Sequence, residues 1–257
     1  MIPKVIHYCW FGKNPLPEKV KKCIESWKKF CPDYEIRLWD ESNFDYSKYT
    51  YAKEAYEQKK WAFVSDVARL DVVYKYGGIY LDTDVELIKP LDELLKYESF
   101  WGFEDPVHIA TGLGFGACKQ NKYVKAILDD YMDKKFVNED GSINKIPCTD
   151  LNTKIFKEMG ILINNQTQIV DNNIFLSTEY LCPLDYSTGK LNVTKKTISI
   201  HRYDSSWASD SDRFLHKVEQ VTLNLFGSKV SKKITHFCEL LVHQGIQGVV
   251  RKITHKN

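Results

Sequence analysis

No C-x-x-C pair occurs in this chain, and its seven cysteines (Cys9, Cys23, Cys31, Cys118, Cys148, Cys182, Cys238) are odd in number and scattered. That pattern gives neither a disulfide framework nor a cysteine-built zinc site, and it predicts reduced thiols in a cytoplasmic protein. No apolar run approaches the ~20 residues of a membrane-spanning helix, and no charged-then-apolar leader precedes the first strand, so the expectation is a protein made and kept inside the cell. A dominant charge is also missing: 36 Lys and Arg stand against 34 Asp and Glu, a net +2. Nothing in that balance points to nucleic acid as a partner.

What charge asymmetry there is lies at the end. From Lys217 onward, Lys217, Lys229, Lys232, Lys233, Arg251, Lys252 and Lys256 face only Glu219 and Glu239. The length of 257 residues suits one sizeable α/β domain with an appendage, and the expected division is 1–216 for the domain and 217–257 for a basic helical tail. In that tail Val230, Ile234, Phe237 and Leu241 recur at helical spacing. Such a stripe suits either packing on the domain or peripheral contact with an anionic membrane, on its inner face for a cytoplasmic protein.

The informative stretch runs from Trp61 to Pro90, WAFVSDVARLDVVYKYGGIYLDTDVELIKP. Phe63, Val67, Leu70 and Tyr74 fall at i, i+4, i+7 and i+11, which predicts a helix over 62–76. Val64, Ala68, Val72 and Val73 fill most of its remaining surface, so the helix is expected to be buried on most sides. Gly77 and Gly78 end it, because glycine accepts the positive φ of a helix C-terminus. Ile79 to Leu81 then read as a short strand that opens into Asp82-Thr83-Asp84. Two carboxylates one residue apart at a strand end suit Mg²⁺ or Mn²⁺, the second binding directly and the first through water.

A D-x-D alone is weak, and the chain has a second one, Asp210-Ser211-Asp212, in a polar stretch. What strengthens the first is Asp66 with Arg69, an acid and a guanidinium at i, i+3 on an otherwise apolar helix. Two readings fit them: a structural ion pair, or a pair that offers acceptors and forked donors to sugar hydroxyls.

Ser65, Asp66, Arg69, Gly77, Gly78, Tyr80, Leu81, Asp82 and Asp84 in this order resemble the core signature of glycosyltransferase family 32, which is similar in turn to the clostridial glucosylating toxins. The resemblance implies a GT-A type α/β fold, a mixed central sheet flanked by helices. It implies a retaining, metal-dependent transfer from a nucleoside diphosphate sugar, with uridine diphosphate first and guanosine diphosphate second. Asp66 and Arg69 would hold the donor sugar, Asp84 the metal, and Asp82 both metal water and donor hydroxyls.

Elsewhere the chain supplies further candidates. Ile2 to Trp10 reads as the first strand, and Trp10 before the glycine turn at Gly12 is a usual place for a nucleotide base; the resemblance implies that Trp10 stacks on it. Glu104 to Cys118 carries glycines at 112, 114 and 116, which suggests a strand in close contact with a ligand. There the resemblance points to Thr111 and Gly112. Asp150 is expected to cap a helix, with a sugar-facing role as the alternative. Thr197 to Ile200 reads as a strand that His201 ends, followed by Ser206-Trp207. The resemblance makes His201 the third metal ligand and places Ser206 or Trp207 near the diphosphate.

The expected activity is a glycosyltransferase acting on a saccharide or lipid-linked saccharide in surface polysaccharide synthesis. Two rivals remain: a haloacid-dehalogenase-like phosphotransferase with Asp82 as nucleophile, and a sugar-nucleotide-binding protein without catalysis. The first expects its motif near the start of the chain and a later G-D-x-x-x-D, and this sequence has neither.

Overall fold

The computed structural model describes residues 1–144, 147–204 and 209–254, with side chains described as far as Val242. Its contacts divide the chain into two units: residues 1–184 with 192–202, and residues 185–191 with 203–257.

The first unit begins with strand β1 (Val5–Cys9), helix α1 (Glu18–Phe30) and β2 (Glu35–Trp39), a parallel βαβ unit whose register pairs Val5 with Glu35. Val20, Cys23, Ile24 and Trp27 are the buried side of α1, as its helical spacing requires. Helix α2 (Thr50–Glu57) precedes α3 (Trp61–Tyr76), which leads through β3 (Gly78–Tyr80) to β4 (Val85–Leu87). Strands β5 (Ser99–Asp105), β6 (His108–Ala110) and β7 (Phe115–Ala117) follow, then α4 (Lys122–Met132) and α5 (Cys148–Glu158). Strands β8 (Gln168–Val170) and β9 (Asn173–Leu176), the short α6 (Thr178–Leu181) and β10 (Ser199–His201) complete the unit.

Eight strands make one mixed sheet in the order β2-β1-β3-β7-β5-β9-β8, with β6 also paired to β5, while β4 and β10 pair separately. The expected architecture, a mixed sheet flanked by helices, is what the chain adopts. Strand β1 ends at Cys9 rather than Trp10, and α4 stops at Met132. Aromatic packing locks the helices onto the sheet: Trp101 stacks on Phe115 at 4.9 Å and meets Phe156 of α5 edge-on at 4.9 Å.

Helix α3 carries the candidate site and is buried as predicted, with Val64, Val67, Ala68, Leu70, Val72 and Val73 all in the core. Gly77 caps it at φ +68°, and its N–H donates to Val73 O at 2.8 Å. That turn is tied to the sheet by His7 at the centre of β1. His7 Nε2 lies 2.8 Å from Gly77 O, and Trp39 Nε1 donates to His7 Nδ1 at 3.1 Å, so the imidazole is the neutral Nε2–H tautomer.

Burial pushes the His7 pKa down from 6.5 to about 4. Between those values the unfolded chain binds the proton and the folded chain does not, so stability falls as pH drops from 6.5 towards 4, by about 3 kcal/mol for this group. Asp66 titrates in the same window with the opposite sign, its carboxyl being pushed up to about 6. The difference between two proteins isolates His7. His7→Gln should destabilise at pH 7, and that deficit should shrink by about 3 kcal/mol at pH 4 in urea unfolding. An unchanged deficit contradicts the assignment.

The second unit contains helix α7 (Asp210–Phe226) and α8 (Ser228–Thr254). Ser209 and Asp212 form a reciprocal capping box at the start of α7, which is what the second D-x-D proves to be. The helix therefore begins at Asp210. The helices pack through small polar residues: Thr222 Oγ1 lies 2.8 Å from Ser231 Oγ, and Ser231 and Thr235 are buried. The predicted stripe on α8 is not the face against α7, since Val230, Phe237 and Leu241 are exposed.

Candidate active site

Strand β3 ends at the edge of the sheet and releases Asp82-Thr83-Asp84 into a turn closed by Val85 N donating to Asp82 O at 3.0 Å. Alternation along the strand puts Tyr80 and Asp82 on one side. Tyr80 Oη donates to Asp82 Oδ1 at 2.7 Å, and Asp82 Oδ2 lies 3.6 Å from Arg69 Nη1. Both oxygens of Asp82 thus have a partner. Burial raises the Asp82 pKa, Arg69 opposes the rise, and the carboxylate of Asp84 adds to it.

Strand β4 continues directly from this turn and pairs antiparallel with β10, placing His201 opposite Val85. Arg202 N donates to Asp84 O at 2.9 Å, and His201 Nε2 lies 3.2 Å from Asp84 Oδ1. A residue far along the sequence is therefore delivered to Asp84 by two short strands. Burial works against the imidazolium, but Asp84, with Cys182 beside it, holds the His201 pKa well above its usual value. One ligand atom each from Asp82, Asp84 and His201 lie within 4.8 Å of one another. Carboxylate oxygens with one imidazole suit Mn²⁺ or Mg²⁺, and a bound cation would take the place of the proton on His201.

Beside this cluster lies the pair from α3. Asp66 Oδ1 accepts from Arg69 Nη2, while Arg69 Nε donates to Ser65 O at 3.2 Å and Nη1 to Thr111 Oγ1 at 3.4 Å. The guanidinium also sits over the Tyr80 ring, 5.1 Å from its centroid. Side-chain exposure is 4% for Arg69, 9% for Asp66 and 28% for Asp82. One cation therefore holds a buried and a half-buried carboxylate together. Burial pushes Asp66 up to about 6, against the pull of Arg69.

Thr111 and Gly112 occupy the turn between β6 and β7, which corrects the expectation of a strand there. The reason is local: Gly112 passes so close to the site that an added Cβ would lie 2.7 Å from Asp82 Oδ2 and 3.3 Å from Arg69 Nη1. Gly112→Ala should leave the fold intact but displace Asp82, weakening donor binding by roughly ten-fold with a stability change below about 1 kcal/mol. Unchanged donor affinity contradicts this placement of Gly112.

Asp150 is not a cap, a second correction: Pro147 holds the N-cap position of α5, and Asp150 sits in the first turn, 3.4 Å from His108 Nε2. Trp10 lies just beyond β1, half-buried, with its Nε1 donating to Asn14 O at 2.6 Å. The side chain is held at the sheet edge by its own turn. Ser206 and Trp207 lie outside the described residues. One contributor had no motif: Asn152 of α5, whose Nδ2 donates to Thr111 Oγ1 at 3.2 Å.

Residues 17–101, which include Asp66, Arg69, Asp82 and Asp84, match the family described as the glycosyltransferase sugar-binding region containing the DXD motif. Over that stretch the chain is similar to the DXD-containing glycosyltransferases. Inositol phosphoceramide mannosyltransferase 3 of Schizosaccharomyces pombe is 39% identical over 44% of this chain and 33% of its own length. The chain thus spans about a third of the length of that yeast relative. An uncharacterised glycosyltransferase of Acanthamoeba polyphaga mimivirus is 25% identical over 81% of this chain and 84% of its own. Among solved structures, the PaToxG glycosyltransferase covers 62% of this chain and 69% of its own at 20% identity, with a TM-score of 0.48.

Proposed function

We propose that this protein is a retaining, metal-dependent glycosyltransferase of GT-A type, using a nucleoside diphosphate sugar, with a uridine diphosphate sugar first among donors. The observation that carries the reading is the convergence of Asp82, Asp84 and His201 ligand atoms within 4.8 Å, beside a buried Asp66–Arg69 pair in the matched region. Mn²⁺ or Mg²⁺ held by Asp84, His201 and, through water, Asp82 would supply positive charge to the leaving diphosphate. Asp66 and Arg69 fix sugar hydroxyls between an acceptor and a forked donor, and their burial keeps bulk water from competing. Tyr80 and Arg69 orient Asp82 towards the donor, and Trp10 stacks on the base.

The phosphotransferase alternative needs Asp82 free to attack. Its oxygens are instead taken by Tyr80 and Arg69, and Gly112 backs closely onto Oδ2. The acceptor we propose is a saccharide on a lipid carrier, in surface polysaccharide assembly. The yeast relatives, whose names give inositol phosphoceramide as the molecule mannosylated, support a lipid-linked acceptor and a mannosyl donor as the second choice. The test is release of nucleoside diphosphate from UDP-glucose, UDP-galactose, UDP-N-acetylglucosamine and GDP-mannose with Mn²⁺, Mg²⁺ or chelator. Metal-dependent release from one donor supports the reading. Donors that neither bind nor turn over contradict it.

Among the described residues no helix is long and apolar enough to cross a membrane. We propose instead peripheral contact with an anionic bilayer through 217–257, where exposed Val221, Leu225, Val230, Phe237 and Leu241 accompany exposed Lys217, Lys229, Lys232 and Lys233. Each basic residue near such a surface contributes about 1 kcal/mol. Deleting 229–257 should abolish sedimentation with phosphatidylserine vesicles and leave donor hydrolysis unchanged. Undiminished sedimentation contradicts the proposal.

A further inference from the structure

Two sides of helix α7 are occupied within the second unit. Gln220 Nε2 donates to Tyr186 O at 2.7 Å, Asn224 Nδ2 donates to Thr188 O at 2.6 Å, and the His216 ring stacks on Tyr186 at 3.9 Å. These three residues are one turn apart, so residues 185–191 cover that row of the helix. On the far side, Thr222 meets Ser231 of α8, and Ser231 Oγ also donates to Glu219 O at 3.2 Å. Gly227, at φ +75°, is the single residue between the helices and turns α8 back along α7.

A third side of α7 is apolar and exposed. It carries Phe214, Val221 and Leu225, with Phe214 57% and Leu225 68% exposed. At about 100° per residue, all three lie about 60–100° round from Thr222 in one sense. On α8 the exposed Val230, Phe237 and Leu241 lie about 80–120° round from Ser231 in the same sense. In an antiparallel pair, equal rotations from the shared contact point to one side of the pair. The two stripes therefore make one continuous face, which neither helix's period reveals by itself.

Charge selects what this face meets. Lys217 and Lys233, both exposed, lie about 140–160° round in that same sense, at the two outer margins of the face. Glu219 and Glu239, the carboxylates between Phe214 and Leu241, lie about 60–80° round in the opposite sense and so on the other side, with Lys232. An apolar centre with cationic margins complements acyl chains beneath anionic headgroups, the lysine stems reaching outward to the phosphates. Two copies set face to face would bring lysine margins together with no carboxylate between Phe214 and Leu241 to meet them.

We propose that α7 and α8 dock side by side on an anionic bilayer through the single face formed by Phe214, Val221 and Leu225 with Val230, Phe237 and Leu241. The inference rests on the peripheral-membrane reading above. It deepens that reading by giving the contact to the helical pair rather than to the basic tail alone, and by fixing which side of the pair faces the lipid.

Sedimentation with vesicles of phosphatidylserine and phosphatidylcholine tests it on the full chain. Phe214→Ser with Leu225→Ser changes only exposed positions of α7, so circular dichroism should show the helices retained while vesicle partitioning falls about ten-fold or more. Phe237→Ser with Leu241→Ser on α8 should do the same. Lys217→Gln and Lys233→Gln should each weaken partitioning about three-fold or more. Leu223→Ser, about 100° round in the opposite sense, should leave it within about two-fold.

If the parent sediments and the α7 double variant partitions equally, or if Leu223→Ser weakens partitioning as much, the inference is overturned and the membrane reading survives. If the parent does not sediment, the membrane reading fails and takes this inference with it. Sedimentation velocity without lipid reports the other occupant. A parent dimer that Phe214→Ser with Leu225→Ser dissociates would assign the face to a second copy and overturn the proposal.

Discussion

Arg69→Met is expected to cost about 3–5 kcal/mol of folding stability, because it strands the buried Asp66 carboxylate without its cation and takes one partner from the half-buried Asp82. The guanidinium lies between them, with 4% of its side chain exposed, so solvent cannot replace it. Urea unfolding should show the loss as a lower midpoint with an unchanged slope. Adding Asp66→Leu to Arg69→Met removes one stranded charge and fills the space with apolar volume, so much of the stability should return. On the proposed function donor turnover should not return, since both of the residues proposed to bind sugar hydroxyls are then gone. That split separates the two readings of the pair: a purely structural ion pair predicts recovery of both. A single-variant loss below about 1 kcal/mol contradicts the burial argument.

Asp84→Asn should reduce metal-dependent donor turnover by at least about 100-fold while leaving the fold in place. The amide keeps the shape of the carboxylate but loses the charge that attracts a divalent cation and that holds a proton on His201. The His201 pKa should then fall towards its usual value, observable by NMR of the imidazole. Its direction follows from the physics: burial disfavours the imidazolium, and Asp84 is the largest influence opposing burial. Asp82→Asn, by contrast, should keep cation binding more nearly intact, since that carboxylate is tied to Tyr80 and Arg69. Equal turnover in Asp84→Asn and the parent would remove the metal from the account.

Local features were legible in the residues. The period of Phe63, Val67, Leu70 and Tyr74 located α3, and the glycine pair located its end, because both are set by neighbours in sequence. The charged pair at Asp66 and Arg69 could be seen as anomalous on an apolar helix before any partner was known. His201 could be joined to Asp84 only by resemblance, since a strand pairing across more than a hundred residues leaves no spacing to read. The start of helix α5 was hidden for a different reason. Its first turn, Cys148-Thr149-Asp150, holds weak helix formers, and Asn152 is a residue type that favours turns.

The tail of the chain shows the converse. The period of Val230, Ile234, Phe237 and Leu241 correctly marked a helix, but periodicity does not say which face meets the neighbour. Ser231 fills that role through a hydroxyl contact to Thr222, Thr235 is buried one turn on, and much of the apolar stripe remains in solvent. The glycines at 112, 114 and 116 suggested a backbone in close approach, and at Gly112 the backbone does run close to Asp82, but as a turn.

Electron paramagnetic resonance of Mn²⁺ titrated with the protein tests most directly whether Asp82, Asp84 and His201 form a cation site. The free-ion signal should fall with one site per chain, more steeply with nucleoside diphosphate present, and Asp84→Asn or His201→Gln should restore it. A signal that persists with the parent protein and diphosphate together, or that is quenched equally by both variants, would contradict the account.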